Sequence, residues 1–316
     1  MIRLGWILCL LLALSARADI ALVADGHTPA LISLQTATNQ RLAELGSARS
    51  VSLINRVPDD TFKLAVYVGA EAYRRFPPAP EFPSLGIYFS RAQFPHDRFI
   101  SGIYLEPPLA RQVRLAQLIM GPGSSFGALS EQSVPLPDDV SLEVVAPQGE
   151  SGFTRALLGI LSRHDAVVGV FGSPWYQADH IKALLITAYR HNRPLIGPSR
   201  AYLRAGALAS TYSSAEDVAR RLAELIVYYE AQGEWPEPDY NPYFQVAFNE
   251  QVGRSLNLPL PDAEQTAEQL SEAEQLTEAE RGHDQTGRGG QNPALTSGRK
   301  TPIQALVPFS GQEGRP

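Results

Sequence analysis

Between Ile20 and Ile196 short apolar runs keep recurring, each parted from the next by a stretch with helical spacing. Short runs of Val, Ile, Leu, Ala and aromatic residues suit strands buried on both faces. Their alternation with helices marks a parallel sheet wound with helices. Residues 20–24, 64–68, 85–89, 142–146, 166–171 and 195–196 read as such strands. Thr28 caps a first helix that Pro29 opens and Gly46 closes, with Leu31, Leu34, Leu42 and Leu45 along one side. Residues 109–119, 151–162 and 179–191 carry further helical stripes. Ser214-x-x-Asp217 is a capping-box pattern heading a helix over 214–232, which Gly233 ends. The expected class is α/β.

The N-terminus sets the compartment. Residues 1–18 join a basic start at Arg3, an apolar run from Leu4 to Leu14, and small residues at Ala16 and Ala18. That run falls short of the roughly twenty residues a bilayer span needs, so it reads as a secretory signal cleaved after Ala18. Cys9, the one cysteine, lies inside it, so the exported chain relies on burial and not on disulfides. Losing Arg3 and Arg17 moves the net charge from −6 to −8. No Lys/Arg cluster remains to neutralise a row of phosphates, so nucleic acid is not an expected partner. Of the 316 residues, 18 go with the signal and 298 remain, enough for two domains. Residues 263–316 look like neither. Over 264–280 only Leu270 and Leu276 are large apolar groups, too few to offset the entropy of ordering, so a disordered tail is expected.

Motifs for chemistry are sparse. Gly123-Ser124-Ser125-Phe126-Gly127 fits G-x-S-x-G, but a nucleophile elbow needs a strand before it and a helix after it, and here a helix precedes. His180 and His191 share a helix face roughly 16 Å apart, at 1.5 Å per residue, too far to hold one metal. No Cys-x-x-Cys, His-x-x-x-His or carboxylate cluster appears, so no metal, cofactor or enzyme activity is expected.

The stretch from Pro194 to Ile226 joins a strand ending in Gly197-Pro198-Ser199, a second strand with Gly206-Ala207-Leu208-Ala209-Ser210, and the capped helix. A closing strand-helix unit follows with Val246, Asn249, Leu256, Leu258, Leu260 and Pro261. Over residues 99–262 this resembles the ABC-transporter solute-binding family whose characterised members bind aromatic amino acids in the periplasm. The resemblance implies two doubly wound parallel-sheet lobes joined by a three-stranded hinge, as in type I periplasmic binding proteins. It places lobe 1 at 19–103 plus 210–241 and lobe 2 at 104–209 plus 242–262, with the tail from 263. Lobe 1 comes out short for that family, by about one strand-helix unit.

In open α/β lobes ligands bind beyond the carboxyl ends of the strands. Asp25, His27 and Thr28 follow the first strand, and Gly69, Ser90 and Arg91 follow later ones. In lobe 2, Ser173, Trp175 and Tyr176 follow one strand, and Ser199 and Arg200 another. These are the candidate ligand contacts, with Trp175 and Tyr176 equally suited to packing between helices. The aspartate that related sequences carry near Gly172, suited to an ammonium group, is missing here. The expected function is capture of a small solute by hinge closure, for an ABC permease. The alternative is a binding-protein-like sensor or interaction protein serving a membrane sensor kinase. The protein is expected in the periplasm, as a monomer.

Overall fold

The computed structural model describes residues 17–95, 100–132 and 135–287, with side chains from residue 19 to residue 277 of these. In chain order the first elements are β1 (Arg17–Val23), α1 (Pro29–Glu44), β2 (Arg49–Ile54), β3 (Leu64–Val68), α2 (Gly69–Arg75), β4 (Ser84–Phe89) and β5 (Ile100–Tyr104). Then come α3 (Leu109–Met120), β6 (Phe126–Leu129), β7 (Glu143–Val145), α4 (Gly149–Arg163), β8 (Ala166–Val168), α5 (Ala178–Arg190) and β9 (Leu195–Ile196). The remainder is α6 (Ala201–Ala205), β10 (Ala209–Tyr212), α7 (Ala215–Gln232), β11 (Gln245–Phe248), α8 (Glu250–Ser255) and α9 (Ala263–Gly287).

The strands form two sheets, one per lobe. In lobe 1 the order is β2-β1-β3-β4-β5, every pair parallel. In lobe 2 it is β11-β10-β9-β8-β6-β7, parallel except for β11 against β10. Both orders turn back on themselves, as in doubly wound sheets.

Lobe 1 is covered unequally. On one face Leu34 and Leu42 of α1 meet Val218, Leu222, Leu225 and Ile226 of α7 over Ile20, Leu22, Val66 and Leu85. The other face has only the short α2 and an aromatic cluster of Phe62, Tyr67, Phe89 and Phe94. Gly86 and Gly102 pair across β4 and β5, and a Cβ on Gly102 would lie 2.2 Å from the Gly86 carbonyl and 2.6 Å from Phe94. Two bare glycines thus leave room for the Phe94 ring close against the sheet. The link from β2 to β3 contains no helix.

Lobe 2 is layered on both faces. Phe153, Leu157, Ile160 and Leu184 of α4 and α5 cover one side, and Val113, Ala116 and Ile119 of α3 the other. The chain does not leave the fold at Asp262, as its composition suggests. Leu270 of α9 is buried in the α3 face of the core, with Ala263 and Ala267 packed beside it and Thr266 buried. Arg111, buried on α3, closes the contact with a two-armed ion pair to Glu274, 2.7 and 2.8 Å. Docking onto an existing core needs far less apolar surface than folding alone, so the expectation of a disordered tail from residue 263 is corrected. Residues 288–316 lie outside the described residues. So do residues 1–16 of the expected signal peptide, whose Arg17 and Ala18 open β1.

Three segments link the lobes. Residues 105–108 run from β5 to α3, residues 213–214 from β10 to α7, and residues 240–244 from the edge of the first sheet to β11. Asp239 bridges to Ile103 there, its carbonyl accepting the Tyr104 N–H at 3.0 Å. Because all of β10 belongs to the second sheet, the lobe boundary expected at Ser210 moves past Tyr212.

Candidate functional site

A cavity of about 430 Å³ opens where the lobes face each other. Lobe 1 contributes Tyr88 at the end of β4, and Ala215 and Val218 from the start of α7. Lobe 2 contributes Ser199, Arg200 and Ala201, beyond β9. The linking segments supply Leu105, Pro107, Ser213, Ser214 and Asn241, and the strand ends beside them Ile103, Tyr104, Thr211 and Tyr212. The cavity thus lies at the carboxyl ends of strands in both sheets, where the connections diverge and leave a crevice.

Each wall has a local cause. Tyr88 has a left-handed backbone, φ 59°, at an irregularity in the β4–β5 pairing. Such a conformation is costly for a tyrosine, and the bulge re-aims its side chain. Burial first, and then Glu216, hold its phenol above the ordinary tyrosine range. At the second link Ser214 caps α7: its hydroxyl accepts the Asp217 N–H at 3.2 Å, and its own N–H donates to Asp217 Oδ2 at 2.8 Å. The positive end of an eighteen-residue helix therefore faces the cavity. Tyr212 donates its hydroxyl to Gln245 Oε1 at 2.8 Å, and the Arg200 guanidinium sits 4.5 Å from the Tyr212 ring centre. Arg200 is the one charged residue in the described lining.

Just behind the lining, the turn after β4 grips two of the links. The Arg91 N–H donates to Glu106 Oε1 at 2.9 Å, and the Arg91 side chain hydrogen-bonds Tyr240, which raises the pKa of the arginine. Tyr104 packs edge-on between Phe94 and Tyr240. Glu106 Oε2 is buried without a hydrogen-bond partner among the described residues, and burial holds this carboxyl above its ordinary value.

Of the residues expected at the site from sequence, Ser199 and Arg200 line this cavity. The others do not. Asp25 pairs with Arg75 at 2.6 Å on the surface, His27 is exposed, and Thr28 spends its hydroxyl on the Leu31 N–H. Gly69 begins α2, and Ser90 and Arg91 form the gripping turn. Ser173, Trp175 and Tyr176 lie buried in the core of lobe 2. Ser173 donates to the Leu129 carbonyl at 3.1 Å, and Trp175 stacks on Phe153 with ring centres 5.6 Å apart. Tyr176 donates to the Val168 carbonyl and accepts the Leu129 N–H. A 3-10 turn at Pro174–Tyr176 rotates these rings under the sheet instead of out over it. The residues that sequence reasoning missed are Tyr88, Tyr104, Tyr212, Ser213 and Asn241. Four of these lie on or beside the links, and the family pattern had already marked chain crossings near them.

No group of three His, Cys, Asp or Glu suited to a metal occurs among the described residues. Ser125, the middle of the G-x-S-x-G match, donates its N–H to Asp165 at 2.9 Å and leads into β6, so no elbow forms. No helix among the described residues is long and apolar enough to cross a membrane.

The chain is similar to several solved structures. The ligand-free, open structure of CD0873, a substrate binding protein with adhesive properties from Clostridium difficile, has a TM-score of 0.56 at 13% identity. That match covers 77% of this chain and 95% of that one. An ABC domain in complex with L-Trp from Streptococcus pneumonia gives 0.46 at 15% identity, covering 77% and 94%. A conserved domain protein from Vibrio cholerae gives 0.46 at 13%, covering 78% and 96%. No protein-family model matches the chain, and no curated protein is significantly similar to it. Two parallel-sheet lobes with three links define the class: this is the type I periplasmic binding-protein fold.

Proposed function

We propose that the chain captures a small organic solute between its lobes, as the exported binding component of an ABC transport system. In this reading residues 1–18 are removed on export to the periplasm, and the mature monomer hands its solute to a membrane permease. The observation that carries it is the cavity itself. Its volume of about 430 Å³ fits the range of small-molecule sites, and both lobes and all three links line it. A solute touching both lobes favours the closed arrangement over the open one, which makes closure a binding event.

The lining also bears on ligand chemistry. Tyr88, Tyr104 and Tyr212 offer flat faces, Arg200 offers a positive charge, and the start of α7 offers partial positive charge. No lining carboxylate is present to take up an ammonium group. A neutral or anionic solute with a flat apolar body suits this set better than a free amino acid. A thermal-shift screen of the mature protein against aromatic carboxylates, amino acids and sugars tests this, since a ligand bound only by the folded state raises its melting point. Hits among the carboxylates should weaken in Arg200→Ala by about 1.5–3 kcal/mol, the scale of a hydrogen bond to a charged group. Tight binding of simple amino acids, indifferent to Arg200, would overturn the ligand assignment.

A further inference from the structure

We propose that α9 is a clamp on the interlobe hinge, acting through Glu274 and Arg111 as positioning residues that never touch the solute. Arg111 sits in the first turn of α3, directly after the first link, and is only 3% exposed. Its guanidinium meets three partners. Nε and Nη2 donate to the two carboxylate oxygens of Glu274 on α9, at 2.8 and 2.7 Å. Nη2 also donates to the Asn241 carbonyl at 3.1 Å, and the group lies 3.8 Å from the centre of the Phe244 ring. Asn241 and Phe244 both belong to the third link, and Asn241 lines the cavity. The neighbouring Gln112 holds the end of β10 that leads into the second link: its Nε2 donates to Thr211 Oγ1 at 3.1 Å, and its Oε1 accepts the Thr211 N–H at 3.3 Å. Two adjacent residues of α3 thus fasten the third link and the strand end that leads into the second, both beside the first.

Only one of these fastenings depends on α9. A buried guanidinium without a carboxylate is costly, and it turns toward water if its partner goes. Losing Glu274 therefore frees the third link while leaving the Gln112–Thr211 pair intact. Buried Leu270, one turn before Glu274, holds the carboxylate in reach. Docked α9 keeps residues 240–244 in the geometry that walls the cavity. Solute binding is assumed only for what the cavity holds.

Amide hydrogen exchange on the full chain without ligand tests the clamp, so its failure is separate from failure of the solute reading. In Glu274→Gln, exchange across residues 240–244 should quicken by about ten- to a hundredfold, the scale of a lost hydrogen bond to a charged group. Residues 211–214 should stay at the wild-type rate. Thr277→Val, which removes only the hydrogen bond from Arg114 and leaves Leu270 and Glu274 docked, should leave residues 240–244 unchanged. Glu274→Asp keeps the charge at a shorter reach and should fall in between; if Glu274→Gln does not fold, this variant carries the test. Unchanged exchange at 240–244 in the Glu274 variants, or an equal rise in Thr277→Val, would overturn the clamp.

Discussion

Glu106 stands in the first link with one carboxylate oxygen held by the Arg91 N–H and the other buried without a partner among the described residues. Burial raises its pKa above the ordinary 4.5, against smaller lowering by hydrogen bonds and by the Arg91 charge. A carboxyl whose folded pKa is raised adds stability that is complete below its unfolded value and is lost as pH climbs through the folded one. Glu106→Gln keeps the site neutral at every pH. Its melting point should match wild type near pH 4 and exceed it by a gap that grows as pH climbs from the unfolded value to the shifted one and then levels off; a gap that stays constant from pH 4 upward would disprove the account. Tyr176 makes the opposite kind of residue, fully satisfied. Tyr176→Phe leaves the Leu129 N–H and the Val168 carbonyl unpaired in the core, which should cost about 1–3 kcal/mol in urea unfolding. Solute affinity should not change, since Tyr176 lies outside the cavity lining. Position after a strand end made Trp175 and Tyr176 look like cleft residues. Sequence shows that such a residue follows a strand, but the sense of a single 3-10 turn depends on the bed beneath, here Phe153 and Leu129.

Elements whose signals are local are readable from sequence. The Ser214-x-x-Asp217 box forms with both of its hydrogen bonds, and Thr28 caps the helix that Pro29 opens. β2 is different: an edge strand with Val51 as its one buried residue, it carries too little apolar pattern to stand out. α9 is harder still, because its docking face is small and polar apart from Leu270, and its main partners are arginines that look solvent-facing in sequence. Leu270→Ala should therefore cost about 2–5 kcal/mol, as for a buried leucine, measured by denaturant unfolding of the full chain. A change below 0.5 kcal/mol, the level of a neutral surface substitution, would mean that α9 contributes little to the fold.

At the scale of the whole molecule, the three links tie the lobes into one folding problem. Lobe 1 takes its sheet from residues before 105, but α7 arrives only after the chain has built five strands of lobe 2. Half of one face of lobe 1 waits on that return. Val218, Leu222, Leu225 and Ile226 are each at most 4% exposed against α1 and the sheet. Burying four such side chains is worth about 6–12 kcal/mol, which matches the entire net stability of a typical domain, about 5–15 kcal/mol. The opposite face of lobe 1 cannot compensate, having an aromatic cluster and one short helix where a full layer would lie. A fragment ending at Pro108 keeps all five strands and still lacks α7, so it should give no cooperative thermal transition by near-ultraviolet circular dichroism. The same fragment joined through a flexible linker to residues 213–233 should recover one. If the bare fragment melts cooperatively, lobe 1 is an independent domain and α7 only an ornament on it.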